Sequence, residues 1–175
     1  MRTLVLGGIR SGKSRWAETA ITVSAGTDPV RYLATGMPAG QDAEWARRVA
    51  AHRERRPSHW VTEETTDVTA RLRADRTAAL VDDIGGWLTA EMDRCGAWTG
   101  ASVAAATGAL VDTVRDFAAP LMLVSPEVGL TVVPATSSGR RFADELGLLN
   151  QRLAECCDRV VLVVAGQPIT VKEPA

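Results

Sequence analysis

A glycine-rich segment near the start of the chain has the pattern G-x-x-x-x-G-K-[ST], which is typical of loops that bind nucleotide phosphates. It consists of Gly7, Gly8, Ile9, Arg10, Ser11, Gly12, Lys13 and Ser14. Glycine at the first and sixth positions allows a turn tight enough for successive N–H groups to face phosphate oxygens. Lys13 is expected to reach the β- and γ-phosphates, and the Ser14 hydroxyl is a suitable oxygen ligand for Mg²⁺. The segment therefore predicts a P-loop with Mg²⁺ as cofactor.

Two adjacent carboxylates follow an apolar run at residues 77–81. A P-loop enzyme needs an acid at the end of a buried strand to complete its metal site, and Asp82 is the better candidate for this Walker B role. Such a carboxylate could equally cap the helix that is predicted to begin at Ile84, and Asp83 fits that capping role better. Ser14 and Asp82 are therefore the predicted metal ligands, with capping as the open alternative for Asp82.

A histidine lies at the head of a basic segment that reads His52, Arg53, Glu54, Arg55, Arg56, Pro57. Neutral imidazole is a competent nucleophile near pH 7, and attack on an α-phosphorus requires nearby positive charge to offset the developing charge on the phosphate oxygens. The flanking arginines would supply that charge. Judged from these residues alone, a solvated histidine at a helix end is the simpler interpretation.

Alternating strands and helices must position these groups. Strands are predicted at residues 4–6, 30–35, 58–62, 77–83, 120–125, 159–165 and 169–172. Three helices are predicted over residues 42–56, 102–117 and 140–157. Three more are predicted by one end only: one begins at residue 14, one ends at about residue 74 and one begins at residue 84. Residues 131–139 are predicted to form a loop. This order predicts an α/β fold, a three-layer sandwich with a mostly parallel sheet, as in RecA-like P-loop NTPases.

Ligands in such sheets gather at the carboxyl ends of the strands. Ala34, Thr35 and Gly36 are therefore predicted to line the same crevice as the P-loop, although a plain strand-to-loop turn remains an alternative. Glu127 is a further carboxylate at the same predicted edge.

Composition limits the possible functions. The chain has 175 residues, of which 46% are apolar, enough for one buried core, so a single domain over 1–175 is expected. A net charge of −1 argues against nucleic-acid binding. No signal region and no apolar run of the ~20 residues that span a bilayer are recognised, which predicts a cytoplasmic protein. The cysteines have no zinc-site spacing and are predicted to be reduced thiols.

Several short motifs occur together and in a specific order. They are Gly7-Gly8-x-Arg10-Ser11-Gly12-Lys13-Ser14, Asp42-x-Glu44, Arg48-Val49-x-x-His52-Arg53-x-x-Arg56-Pro57, Trp60-x-Thr62-x-Glu64, Glu127-Val128-Gly129 with Val133-Pro134, and Asn150-Gln151-Arg152-Leu153. In these motifs the chain resembles the family of bifunctional adenosylcobinamide kinases / adenosylcobinamide-phosphate guanylyltransferases of adenosylcobalamin synthesis. The resemblance extends from about Thr3 to Lys172.

The resemblance implies a two-step enzyme. A nucleoside triphosphate, ATP or GTP, phosphorylates the aminopropanol hydroxyl of the corrinoid substrate, and GMP is then transferred from GTP to that phosphate with release of pyrophosphate. It also implies a covalent guanylyl-histidine at His52 and a homotrimer. The guanine nucleotide would contact the residues Ala34, Thr35, Gly36, Arg53, Glu54, Arg55, Arg56, Glu64 and Asp82.

The chain departs from the family pattern at Trp45, where a methionine is usual, and at residues 135–139, which replace a more charged run. Two other functions are compatible with the P-loop alone. One is an ordinary small-molecule P-loop kinase, in which His52 has no chemical role. The other is a nucleotide-binding switch or assembly protein of the RecA-like type.

Overall fold

The computed structural model describes residues 1–36 and 56–174, and strands and helices alternate along them. The strands are β1 (Arg2–Gly7), β2 (Arg31–Ala34), β3 (Val61–Glu64), β4 (Ala79–Asp82), β5 (Leu121–Pro126), β6 (Arg159–Val164) and β7 (Gln167–Lys172). The helices are α1 (Lys13–Ala25), α2 (Val68–Ala74), α3 (Ile84–Cys95), α4 (Ala104–Arg115) and α5 (Ser137–Cys156), with a 3₁₀ turn at Ala97–Thr99. The helix predicted over 42–56 lies outside the described residues, apart from Arg56.

The strands form one sheet in the order β3-β2-β4-β5-β1-β6-β7. Neighbouring strands are parallel except β6 and β7, which are antiparallel. One strand, β5, lies between the P-loop strand β1 and the strand β4 that ends at Asp82, which is the RecA-like arrangement. Because the sheet is parallel, the carboxyl ends of β1, β2, β4 and β5 meet at a single edge.

The strands β1, β2, β4, β5 and β6 divide their apolar side chains between two cores, because successive residues point to opposite faces. On β1, Leu4 lies in the core covered by α2 to α5, whereas Val5 lies in the core covered by α1. The α1 residues Ala17 and Ile21 complete the second core and are fully buried. Helices therefore cover both faces of the sheet, and the predicted three-layer α/β sandwich is confirmed.

Several element boundaries differ from the predicted ones, and three of the differences have a clear local cause. β3 begins at Val61 rather than 58, because Trp60 N donates to Pro57 O at 3.0 Å and closes a turn instead of entering the sheet. α5 begins at Ser137 rather than 140, inside the predicted loop, because the Thr136 hydroxyl accepts a hydrogen bond from Gly139 N at 3.1 Å. β7 begins at Gln167 rather than 169, because the hairpin turn falls on residues 165 and 166, whose φ values are 50° and 78°.

Within the described ranges, no helix is both long enough and apolar enough to cross a membrane. Cys95, Cys156 and Cys157 are free thiols, as predicted.

Candidate active site

The predicted P-loop connects β1 to α1 at the carboxyl edge of the sheet. β1 ends at Gly7, and Gly12 precedes the helix with φ 92°, a left-handed conformation that favours glycine. A Cβ atom on Gly7 would lie 2.8 Å from the carbonyl oxygen of Val163, which is too close for any side chain. Glycine is thus required at both positions for the loop to fold back over β1 and β6.

Neighbouring strand ends hold the loop in place. Gly166 N, in the β6–β7 turn, donates to Ser11 O at 2.8 Å, and Glu127 N, after β5, donates to Gly7 O at 3.1 Å. Lys13 Nζ lies over the loop and donates to Gly8 O at 3.2 Å. Since α1 begins at Lys13, the positive end of its dipole faces the same space as the loop. This arrangement can hold a polyphosphate.

The carboxylate of Asp82 lies beside the start of α1. Ser14 Oγ donates to Asp82 Oδ1 at 3.2 Å, and the hydroxyl of Tyr32 donates to Asp82 Oδ2. The helix cap is formed instead by Asp83, whose Oδ1 accepts from Gly86 N at 2.6 Å. Burial, with the nearby Asp82 charge, raises the pKa of Asp83 above its ordinary value. The structure thus separates the two carboxylates, with Asp82 at the P-loop and Asp83 at the cap.

The end of β2 lies next to this pair. Ala34 is paired with Asp82 on β4 and with Glu64 on β3, so these two acidic residues flank it at one level of the sheet. Thr35 N donates to Asp82 O at 3.1 Å, and its hydroxyl donates to Asp83 O at 2.5 Å. Gly36 follows and is exposed. The structure therefore brings the predicted crevice residues to the carboxylate edge.

Arg56 is connected to Asp82 through Tyr32, a residue that was not predicted from the sequence to belong to the site. Its guanidinium carbon lies 3.3 Å from the centre of the Tyr32 ring, and its Nη1 donates to Thr62 Oγ1 at 3.0 Å. Tyr32 is 1% exposed. Burial, and secondarily the Asp82 charge, raise the pKa of the Tyr32 hydroxyl far above its ordinary value, so this hydroxyl remains a neutral donor. The sequence feature that could have pointed to Tyr32 is that it is the sole tyrosine of the chain and lies two positions before the predicted site residue Ala34.

Four predicted site residues, His52, Arg53, Glu54 and Arg55, lie outside the described residues.

The oxygen atoms near the P-loop are compatible with a magnesium ion shared with a nucleotide. Ser14 Oγ and Asp82 Oδ1 are hard ligands at one point of the site, whereas residues 1–36 and 56–174 contain no cluster of three or more histidine, cysteine or carboxylate side chains suited to a metal. Mg²⁺ in nucleotide sites takes few protein ligands and completes its shell with phosphates and water. The donor set therefore fits Mg²⁺ bound together with a nucleotide.

A buried polar pair fixes the end of β5 beside the P-loop. Ser125 Oγ donates to Asn150 Oδ1 at 2.7 Å, and Asn150 Nδ2 donates to Pro126 O at 3.0 Å. Ser125 is fully buried and Asn150 is 6% exposed. Pro126 of β5 is paired with Gly7, the last residue of β1 and the first of the P-loop. Asn150 on α5 therefore positions the end of β5 beside the start of the P-loop.

Comparisons with known proteins agree with one another. A family model described as "Cobinamide kinase / cobinamide phosphate guanyltransferase" matches residues 3–171. The bifunctional adenosylcobalamin biosynthesis protein CobP of Pseudomonas aeruginosa is 43% identical over 176 residues, which cover 98% of this chain and 98% of that protein. The corresponding CobU of Salmonella typhimurium is 37% identical over 188 residues, covering 98% of this chain and 100% of the relative.

Among solved structures, the P4 protein from bacteriophage phi6 in complex with ADP aligns with a TM-score of 0.46 and 17% identity. The alignment covers 95% of this chain and 51% of that one, so the chain spans about half the length of the solved protein.

Proposed function

The chain belongs to the cobinamide kinase / cobinamide phosphate guanyltransferase family, and on that basis we propose that it catalyses two successive reactions of adenosylcobalamin biosynthesis. The first transfers the terminal phosphoryl group of ATP or GTP to the hydroxyl of adenosylcobinamide. The second transfers GMP from GTP to adenosylcobinamide phosphate, giving adenosylcobinamide-GDP and pyrophosphate. The observation that carries the proposal is the family match over residues 3–171, which includes the P-loop and Asp82.

The P-loop would serve both reactions in the same way. The backbone N–H groups of the loop and the N-terminus of α1 bind the polyphosphate, and Lys13 turns from Gly8 O toward the phosphate oxygens. The backbone N–H groups are fixed before the substrate binds, so they stabilise charge that develops in the transition state without reorganisation, and Lys13 adds its charge once it has turned.

Ser14 and Asp82 would hold Mg²⁺ with the nucleotide. The ion, when bound, neutralises part of the charge on the phosphate oxygens. Ser14 and Asp82 would also orient the polyphosphate relative to Lys13.

For the second reaction we propose that His52 is the nucleophile. Its ring nitrogen attacks the α-phosphorus of GTP, the bond from the α-phosphorus to the bridging oxygen breaks, and pyrophosphate leaves. A phosphate oxygen of adenosylcobinamide phosphate then attacks the same phosphorus, and the phosphorus–nitrogen bond breaks to return neutral imidazole. Positive charge near the α-phosphate would come from Arg53, Arg55 and Arg56, and the other proposed guanine-nucleotide contacts are Ala34, Thr35, Gly36, Glu54, Glu64 and Asp82.

A labelling experiment tests this step. Labelled GTP without corrinoid should leave GMP on the protein, through a phosphorus–nitrogen bond that is labile in acid and stable in base. His52→Ala should abolish both this adduct and GMP transfer, while kinase activity persists, since direct phosphoryl transfer needs no histidine. His59→Ala is the control, because His59 is the other histidine of the chain. Acid-labile GMP on the His52→Ala protein would show that the nucleophile lies elsewhere.

The products distinguish this function from the alternatives. Release of pyrophosphate in the presence of GTP and phosphorylated corrinoid identifies the transferase. An ordinary small-molecule kinase would instead give a nucleoside diphosphate and a phosphorylated acceptor. A nucleotide-dependent switch would hydrolyse GTP slowly without any acceptor.

We also propose that the enzyme is a homotrimer and acts in the cytoplasm, where both nucleoside triphosphates are available. Family membership supports the trimer, and native mass spectrometry at micromolar concentration tests it. A mass of one 18.6 kDa chain would contradict it.

A further inference from the structure

Tyr32 is buried between two charged side chains of the candidate site. Its hydroxyl donates to Asp82 Oδ2, and its ring lies beneath the Arg56 guanidinium, 3.3 Å from the guanidinium carbon. Asp82 in turn accepts from Ser14 at the start of α1. One tyrosine thus contacts both the carboxylate beside the P-loop and Arg56.

We propose that Tyr32 is a positioning residue that orients Asp82 toward the P-loop and supports Arg56, so that the metal ligand and the Arg56 guanidinium adopt their working geometry together. The inference rests on the proposed function, because it assigns Arg56 to GMP transfer and Asp82 to a metal that is shared with the nucleotide.

The hydroxyl contact determines which oxygen of Asp82 faces the P-loop. With Oδ2 occupied by the Tyr32 hydroxyl, Oδ1 is directed at Ser14 Oγ, 3.2 Å away. A carboxylate has a broad rotational range about its last bond, and a fixed donor on one oxygen restricts that range. Residues that orient a metal ligand in this way typically alter metal affinity when they are removed.

The ring contact fixes the guanidinium. Among the described residues, Arg56 Nη1 has Thr62 Oγ1 as its acceptor and Arg56 Nε is buried with no hydrogen-bond partner, so the aromatic face is the other main support of this side chain. A cation over an aromatic face is favoured by the ring quadrupole, and more strongly where water is excluded. An aliphatic side chain at position 32 would not provide that interaction.

A plain core role is the competing explanation, since the Tyr32 ring also lies near Trp60, with ring centres 6.4 Å apart. Tyr32→Phe separates the two roles, because it keeps the ring and removes the hydroxyl. We expect this variant to remain folded and to raise the dissociation constant of Mn²⁺ by about 10-fold, measured by electron paramagnetic resonance on the protein with bound α,β-methylene GTP, which cannot release pyrophosphate.

Thr107→Val is the matched control, because it also removes a buried hydroxyl, on α4. It should leave the Mn²⁺ dissociation constant unchanged. An unchanged constant in Tyr32→Phe would overturn the positioning of Asp82.

The arginine side is tested by spectroscopy. Because the chain has one tyrosine, incorporation of 3-fluorotyrosine gives a single ¹⁹F resonance that reports on Tyr32. Arg56→Gln and Asp82→Asn should each shift this resonance in the protein without nucleotide, and Thr107→Val should not. A resonance that is insensitive to Arg56→Gln would overturn the contact on which the coupling depends.

Activity assays keep this inference distinct from the proposed function. If wild-type protein transfers GMP, and Tyr32→Phe matches it in Mn²⁺ affinity and in the Mg²⁺ concentration for half-maximal rate, the inference is wrong and the function stands. If wild-type protein makes no adenosylcobinamide-GDP while Tyr32→Phe still weakens Mn²⁺ binding, the function is wrong and the positioning of Asp82 stands.

Discussion

Lys13 is the side chain on which both proposed reactions depend most directly. Lys13→Ala removes a fixed cation from the polyphosphate site, so we expect the rates of phosphorylation and of GMP transfer each to fall by at least ~10²-fold. Steady-state rates with saturating nucleotide measure both effects. Arg15→Ala is the control, because Arg15 is an exposed cation of α1 beyond the loop. Near-normal GMP transfer in Lys13→Ala would mean that the loop serves the kinase step alone.

Residues of the site differ in how far the sequence reveals them. The P-loop is recognisable because its function requires a fixed spacing, and Asp82 because an acid follows an apolar strand. Tyr32 has neither signal, since a tyrosine in an apolar strand resembles an ordinary core residue. Its role appears only with the strand register, which pairs Tyr32 with Leu80 and so brings β2 alongside the strand that carries Asp82.

At the scale of elements, Asn150 fastens α5 to the end of β5. Asn150→Ala leaves the buried Ser125 hydroxyl and the Pro126 carbonyl without their partner, and we expect the free energy of unfolding to fall by about 2 kcal/mol. Chemical denaturation measures this change. Gln151→Ala, on the exposed side of the same helix, is the control and should have little effect. Equal stability of the two variants would show that the pair does not fasten the strand.

A second element contact lies at the opposite edge of the sheet, where Arg2 of β1 binds Asp158 before β6. The guanidinium Nη2 donates to Asp158 Oδ1 at 2.6 Å, and Arg2 N donates to Oδ2 at 2.7 Å. The hydrogen bond from the Arg2 side chain is the main cause that lowers the pKa of Asp158 below its ordinary value.

This lowered pKa predicts a pH dependence. The folded state binds the proton of Asp158 less tightly than the unfolded state, so the contact stabilises the fold above about pH 4, and its contribution is lost as pH falls further. Asp158→Asn should therefore cost about 1 kcal/mol at pH 7, and the difference from wild type should shrink in acid. The control is Asp112→Asn, which breaks a more exposed pair with Arg115. A difference that does not depend on pH would contradict the assignment.

Element boundaries were harder to predict than the elements themselves. Trp60 and Val61 form an apolar pair that resembles the middle of a strand, yet Trp60 closes a turn and packs into the core on the α1 side. Similarly, residues 131–139 resemble a loop, and the cap at Thr136 shows that the last three of them belong to α5. In both cases a single hydrogen bond fixes the boundary, and periodicity carries no information about it.

At the scale of the whole molecule, one sheet with two cores should unfold cooperatively. We expect a single thermal transition, as a single domain over 1–175 requires. Mg²⁺ and α,β-methylene GTP, which cannot release pyrophosphate, together at about 100 times the dissociation constant should add about 2.7 kcal/mol to the free energy of unfolding. Differential scanning calorimetry measures both, and Lys13→Ala should lose most of the added stability. Two separate transitions would contradict the single domain.

The layers of the fold could be predicted, whereas the order of the strands could not. Alternating apolar strands and helices imply a parallel sheet with helices on both faces, because each crossover needs a helix. Nothing in the strand sequences states that β5 lies between β1 and β4. That order follows from how whole strands pack and from the family, rather than from the residues of any one strand.

The interior position of β1 has a consequence for synthesis on the ribosome. Leu4 is paired with Leu123 on one side and with Val160 on the other, and Arg2 binds a residue 156 positions later in the chain. β1 leaves the exit tunnel before both of its partners and must wait for them, and such long-range contacts form slowly because a large loop must close. Its apolar residues stay available to chaperones until β5 and β6 have emerged. The phosphate loop, which also needs Gly166 N against Ser11 O, is completed only when the β6–β7 hairpin has emerged.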